Sequence, residues 1–392
     1  QRQMCIRDRA NSFDQKSVDT LKNTVLANSI TSALIVTSTQ AVNALMSLYA
    51  MQYFGASKLQ LGYLFTLFFL TSAFSKILSG IFISQKYLKH IFLLGIVSIA
   101  SSIVLYDVAP SLEFLFMLRI LHGVGFAFAN TACLTFASLI ADEGLRSYSV
   151  SMVTAFNAIG LVLGPLVGTF GTLFFDIPKT FAIVSTIVVV SFLFAFHTIR
   201  NVSLKESESV GHELCLNDFL FIKERWFIVS TSSYFAYALI YGTIISYIPP
   251  YAKQNFGLND YDITTLFFIF FILSLVARII LVKKNGLVFL KKMLTSSLAI
   301  SISMISLISF SDSFEVFGLE FALIGLGHGF IYPITALIIS KNSPSEKLYT
   351  INTVYFTSFD FGNAIGPLIA SILVTFLPLN LVFFGTAFVP LA

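Results

Sequence analysis

Residues 160–168 read Gly160-Leu161-Val162-Leu163-Gly164-Pro165-Leu166-Val167-Gly168, and 202 positions later residues 362–370 read Gly362-Asn363-Ala364-Ile365-Gly366-Pro367-Leu368-Ile369-Ala370. Small residues every fourth position share one face of a helix, where they let a second backbone approach closely. Pro165 and Pro367 each remove one backbone donor and can kink that helix. The match extends outward without a gap. Tyr49, Ala50, Gln52, Phe54 and Gly55 fall on Tyr251, Ala252, Gln254, Phe256 and Gly257. Phe65, Phe68, Phe69 and Ser72 fall on Phe267, Phe270, Phe271 and Ser274, and Gly123 and Gly125 on Gly325 and Gly327. An unbroken register through several loops marks an internal duplication.

The 392 residues are 56% hydrophobic and only 11% charged. A soluble domain carries about 25% charged residues. Aqueous enzymes, disordered chains and nucleic-acid binders are poor fits to this composition. The net charge of +4 suggests no polyanion partner. Cys5, Cys133 and Cys215 are too scattered for a disulfide framework or a metal site, and no metal is expected. The hydrophilic start shows no cleavable signal peptide. Spanning a bilayer takes about 20 mostly apolar residues. Such runs occupy 26–50, 59–82, 91–108, 112–140, 147–174, 180–198, 226–251, 261–282, 287–310, 314–340 and 348–376. A twelfth starts near Leu379 and stops at Ala392, which is too short to span, so truncation inside a helix is expected there.

The 24 basic residues sort by side. Eighteen Lys or Arg lie on the side holding the N-terminus, 83–90, 141–147, 199–225, 283–292 and 341–347. Only Lys58, Lys179 and Lys253 lie opposite. Positive loops stay in the cytoplasm, so both termini are expected there. The expected organisation is a hydrophilic tail at 1–20, a first six-helix bundle at 21–198, a cytoplasmic linker at 199–225 and a second bundle at 226–392. The fold class is therefore an all-α integral membrane protein of twelve helices in two pseudo-symmetric halves.

With these features the chain resembles the major facilitator superfamily. In helix 4, Arg119-Ile120-Leu121-His122-Gly123-Val124-Gly125 is similar to that family's R-x-x-x-G-x-G. In helix 5, residues Gly160 to Gly168 resemble G-x-x-x-G-P-x-x-G, typical of its proton-coupled exporters. The loop after helix 2 departs from the family's G-x-x-x-D-x-x-G-R-R, with Gly80, Ser84 at the acid position, then Tyr87, Leu88 and Lys89. The family's usual loop-based charge pair lacks its acid here.

Five ionisable residues besides histidine fall within helices: Lys76, Arg119, Arg278, Glu320 and Asp360. Intramembrane charges are expensive and usually face the protein interior or a water-filled cavity. Lys76 and Arg278 share one repeat position near the ends of helices 2 and 8. Both can snorkel, so they, with Lys89, are read as anchors, with a gate or interhelix pair as the alternative. Arg119 and Asp360 have no counterpart, for the shift places Phe321 and Ala158 there. Asp360 lies near mid-helix and is the candidate proton carrier, with Arg119 modulating it and Glu320 second. Helix 1 holds no acid between Leu26 and Ala50, where the family's exporters often place theirs. By the resemblance, helices 1, 4, 7 and 10 line a central cavity. Gln40, Asn43, His122, Asn130, Tyr234, Tyr237, His328 and Tyr332 would then face the substrate.

The implied function is alternating-access secondary transport, with proton-coupled export of a small organic molecule as the specific reading. Proton-linked uptake is the alternative within transport. A sensor or accessory subunit without transport is the alternative of another class. No phosphate-binding G-x-x-x-x-G-K-[ST] occurs, and neither enzymatic chemistry nor a cofactor is expected. The expected partners are a small molecule, protons and lipid, with no nucleic acid. The chain is expected to act as a monomer in a plasma membrane, a bacterial inner membrane first.

Overall fold

The computed structural model describes residues 2–82, 87–139, 143–202, 216–282, 287–344 and 348–389. Ser84 lies outside them. Among the described residues the chain is all-helical. The helices are α1 (Arg2–Phe54), α2 (Lys58–Phe82), α3 (Leu88–Asp107), α4 (Leu112–Leu139), α5 (Glu143–Phe174) and α6 (Ile177–Asn201), then α7 (Arg225–Phe256), α8 (Asp260–Val282), α9 (Leu287–Ile308), α10 (Phe314–Asn342), α11 (Leu348–Leu373) and α12 (Leu379–Phe388). A short 3₁₀ segment, Leu216–Lys223, lies within the sequence expected to link the halves. Helices α1 to α10 each contain a span long and apolar enough to cross a bilayer. The protein is a multi-pass membrane protein.

Most helix ends fall within a few residues of the apolar runs, because in lipid every backbone group must be bonded within its own helix. The exception is α1, which begins at Arg2 rather than near Leu26. Hydropathy marks only the part of a helix that lipid can cover, and polar residues continue the helix beyond it. The twelfth helix is 10 residues long.

The duplication is visible in backbone detail. Gly55 after α1 and Gly257 after α7 are repeat equivalents, and both take the left-handed conformation, with φ of 61° and 66°. Gly257 closes α7 by donating its backbone N–H to the Lys253 carbonyl. The Tyr49 hydroxyl donates to the Tyr106 carbonyl, and its equivalent Tyr251 donates to the Ile308 carbonyl at 3.0 Å, again 202 residues on. The glycine faces repeat as well. A Cβ on Gly160 would lie 2.6 Å from the Ala33 carbonyl oxygen, and one on Gly362 would lie 2.7 Å from that of Phe235. Gly164 and Gly366 sit the same way against Thr37 and Leu239. These contacts make seams α1/α5 and α7/α11, where the helices approach to backbone contact. In α4 and α10, Gly123 and Gly325 meet the carbonyls of Phe68 and Phe270, and Gly125 and Gly327 meet α3 and α9.

Between the repeats, α2 packs on α11 and α5 on α8, each pair the counterpart of the other, and α1 meets α7. Gly168 faces Thr264 across α5/α8. Chain connections alternate between two faces. At the face holding 55–57 and 257–259, Ser47 donates to the Ser246 carbonyl at 2.6 Å, and Tyr247 to that of Lys58 at 2.9 Å. Gln52 donates to Asp260 at 3.0 Å, and Lys253 pairs with the same carboxylate at 2.7 Å. That face is called the far face below. The near face carries the other connections.

Candidate functional site

The intrahelical charges are placed by five helices, α2, α4, α8, α10 and α11. Ser72 and Lys76 stand one turn apart on α2 and point at α11. There the Lys76 ammonium lies 2.6 Å from Asp360 Oδ2, with the side chains 12% and 4% exposed. Ser72 donates to the same oxygen at 2.8 Å. The Lys76 ammonium also lies 5.6 Å from the Phe126 ring centre. Asp360 therefore pairs with Lys76 across the two repeats, not with Arg119. The Ser72–Lys76 spacing of four could have indicated a two-donor face on α2, but nothing in the sequence names its acceptor.

Arg119 is 0% exposed. Its Nε donates to the Leu64 carbonyl at 3.2 Å and its Nη2 to Asn43 Oδ1 at 3.0 Å. Its guanidinium carbon lies 4.3 Å from the centre of the Phe68 ring. Among the described residues it has no carboxylate partner, and Nη1 has no hydrogen bond. Neutral dipoles and an aromatic face hold this charge. His122 is equally buried, with Thr39 Oγ1 3.3 Å from one ring nitrogen and the Tyr106 hydroxyl 3.1 Å from the other. Asn43 and His122 thus sit inside the first half, while the sequence reading put them on a cavity wall. A helical face that is polar looks the same in sequence whether water or a neighbouring helix meets it.

Glu320 accepts a hydrogen bond from Ser311 in the second turn of α10, close to the far face and apart from the Lys76–Asp360 pair. Lys89 donates to the Val202 carbonyl at 2.7 Å, tying α3 to the end of α6. Gln40 and Asn130 are half-buried, and Asn130 Oδ1 has no partner among the described residues. The Tyr241 hydroxyl reaches Gln40 Oε1 at 3.5 Å, the outer limit of a hydrogen bond.

The second half holds an aromatic cluster that sequence reading found only in part. Tyr234 stacks on Phe359 at 4.4 Å and on Tyr355 at 4.9 Å. The Tyr237 hydroxyl lies 2.8 Å from His328 Nδ1, and Tyr241 stacks on the same imidazole at 5.4 Å. Tyr332 tilts against Tyr234 at 5.8 Å. Tyr355 and Phe359 were missed. Their spacing of four on α11 was the available signal, masked by the abundance of Phe throughout the chain. Arg278 lies 5.6 Å from the Tyr332 ring centre, half-buried and with no ion pair or hydrogen bond among the described residues. The arrangement offers aromatic rings, a histidine and a cation without a partner among the described residues in one half, and an ion pair between the halves. Among the described residues no group of His, Cys, Asp and Glu could hold a metal ion.

The geometry has counterparts among known proteins. A Staphyloferrin B transporter of Staphylococcus aureus (strain NCTC 8325 / PS 47) is 25% identical over 134 residues, 34% of this chain. The match spans about a third (32%) of that relative's length. In fold, the chain is similar to a bacterial homologue of the human lysosomal transporter Spinster in an inward-facing, unoccupied conformation, with a TM-score of 0.69 and 14% identity, covering 91% of this chain and 83% of the other. It is similar also to a nucleoside transporter, with a TM-score of 0.72 and 12% identity over 94% of this chain and 98% of that one. The model of the Major Facilitator Superfamily matches residues 29–367. That match takes in all the paired charges, glycine seams and aromatic residues described above, and the chain belongs to the Major Facilitator Superfamily, a family of membrane transporters.

Proposed function

We propose that this protein is a proton-coupled exporter of a small organic molecule, working by alternating access. The observation that carries the reading is the ion pair Lys76–Asp360, which joins α2 of one repeat to α11 of the other at 2.6 Å. Two six-helix bundles rock about a central site, and contacts between them form and break at each stroke. A carboxylate in such a contact couples the stroke to protonation. Charged, Asp360 holds Lys76; neutral, it releases it. The hydrogen bonds Ser47–Ser246, Tyr247–Lys58 and Gln52–Asp260 close the far face, while partly exposed Gln40, Asn130 and Tyr332 lie toward the near face. In this reading the near face is cytoplasmic, the membrane is a bacterial inner membrane, and a single chain is the working unit. The glycine seams Gly160/Gly164 and Gly362/Gly366 keep each bundle rigid during the motion.

Everted vesicles test the reading. With an inside-acid gradient imposed, addition of a transported compound discharges the gradient, followed with a pH-sensitive dye. Asp360→Asn should abolish the discharge while leaving expression and membrane insertion unchanged. Undiminished discharge in that variant would overturn the coupling assignment.

A further inference from the structure

We propose that the transported molecule is an organic anion, and that its carboxylate is held by Arg278 while its apolar part lies against the partly exposed Tyr332 and Phe359 rings. The inference rests on the transport reading for its direction and coupling, but not for the binding itself. Three observations carry it. First, the shift of 202 residues places Arg278 on Lys76 and Ala158 on Asp360. The first repeat's cation is neutralised at 2.6 Å by a carboxylate from the second. At the position equivalent to that acid, the first repeat carries alanine, so the duplication supplies no matching carboxylate for Arg278. Secondly, Arg278 is half-buried, with its Nε atom shielded from solvent and unbonded among the described residues. A cation kept inside a membrane protein without a counter-charge is unfavourable, and such residues mark substrate and ion paths. Thirdly, His328 is 6% exposed and its Nε2 is likewise buried and unbonded.

These groups are adjacent. His328 and Tyr332 stand about one turn apart on α10, about 6 Å along the axis. A Cβ on Gly329 would lie 2.6 Å from Ala277 Cβ, so α8 and α10 touch one residue from Arg278. Arg278 presents a planar fork suited to a carboxylate, and its ring contact orients that fork. The partly exposed Tyr332 and Phe359 rings supply apolar surface, with Tyr234 stacked behind Phe359 at 4.4 Å. The class that satisfies all of these is a flat or amphipathic organic molecule with at least one carboxylate. The anion supplies the charge that Ala158 does not.

The test uses the full purified chain in lipid nanodiscs and calorimetric titration with 4-hydroxybenzoate and phthalate. Their neutral isosteres 4-hydroxybenzamide and phthalamide are the controls. Either carboxylate should bind at least tenfold more tightly than its amide, and more weakly as salt rises. Arg278→Gln should lose that preference, and Arg278→Lys should keep part of it. Ala158→Asp, which supplies the matching carboxylate in the first repeat, should also abolish anion binding with Arg278 still present. This last variant separates binding from any role of Arg278 in folding. Equal binding of acids and amides, or an anion preference that survives Arg278→Gln, would overturn the proposal. Failure of the transport reading looks different: anion binding persists, and no vesicle discharge occurs with any compound. Discharge driven equally by neutral and anionic compounds would defeat the anion assignment while leaving transport standing.

Discussion

Lys76→Ala strands the Asp360 carboxylate among α2 and α11 with Ser72 as its remaining donor. Removing one partner of a buried ion pair costs about 3 to 5 kcal/mol. The loss should fall in that range. Asp360→Asn should cost less, about 1 to 2 kcal/mol. Lys76 is 12% exposed, lies a turn from the end of its span and can extend its ammonium toward the interface. The double variant leaves no stranded charge, so it should be more stable than the sum of the single losses implies, with a coupling of about 2 kcal/mol. Equilibrium unfolding in mixed micelles measures all four corners of the cycle. Lys89→Ala supplies the control, because its partner is the Val202 carbonyl and its coupling to Asp360 should vanish. A Lys76–Asp360 coupling below about 0.5 kcal/mol would refute the assignment of this pair as a contact that holds the repeats together.

Leucine at Gly160 or Gly362 should force α1 from α5 or α7 from α11, costing at least about 1 to 3 kcal/mol, whereas leucine at Gly318, with nothing within 4 Å, should leave the unfolding midpoint unchanged. Alanine at Gly55 and at Gly257 should destabilise equally, by about 1 kcal/mol each, because both need the left-handed conformation; a marked difference in midpoint between the two variants would contradict the repeat geometry. Asp176 caps α6 by accepting the Lys179 backbone N–H at 2.9 Å, and Asp176→Ala should lose about 1 kcal/mol. That N–H, followed by the Lys179 ammonium, holds the Asp176 carboxyl below the usual carboxylate range, so the cap's contribution is present above the unfolded value and fades as pH falls through the folded one. The difference between wild type and Asp176→Ala should thus shrink in acid, as read from unfolding midpoints at neutral and acidic pH.

What sequence could show here depended on the kind of information each feature carries. Helix positions were legible because lipid imposes one rule on every residue of a span. The start of α1 was not, since its polar first turns lie outside that rule. The duplication was legible too, and it placed Gly55, Gly257, Tyr49 and Tyr251 correctly as equivalents. The site was legible only as a set of candidates. Lys76 and Arg278 read as symmetric anchors, yet one is paired across the repeats and the other is unpaired among the described residues. Arg119 and Asp360 stood out for lacking counterparts, but uniqueness in sequence does not say which two charges meet. Asn43 and His122 share polar helix faces with cavity residues, and only tertiary packing shows that neighbouring helices cover them.

Arg119 also has a mechanical consequence. From α4 it grips a carbonyl of α2 and a side-chain amide of α1, in surroundings where its charge has no other support. Any hinge that slid one of these helices past the others would leave a bare guanidinium in a dry interior. The three helices are bolted together at that point, and must travel as one piece. Flexibility is thereby left to the joints between the repeats, one of which Lys76 and Asp360 close.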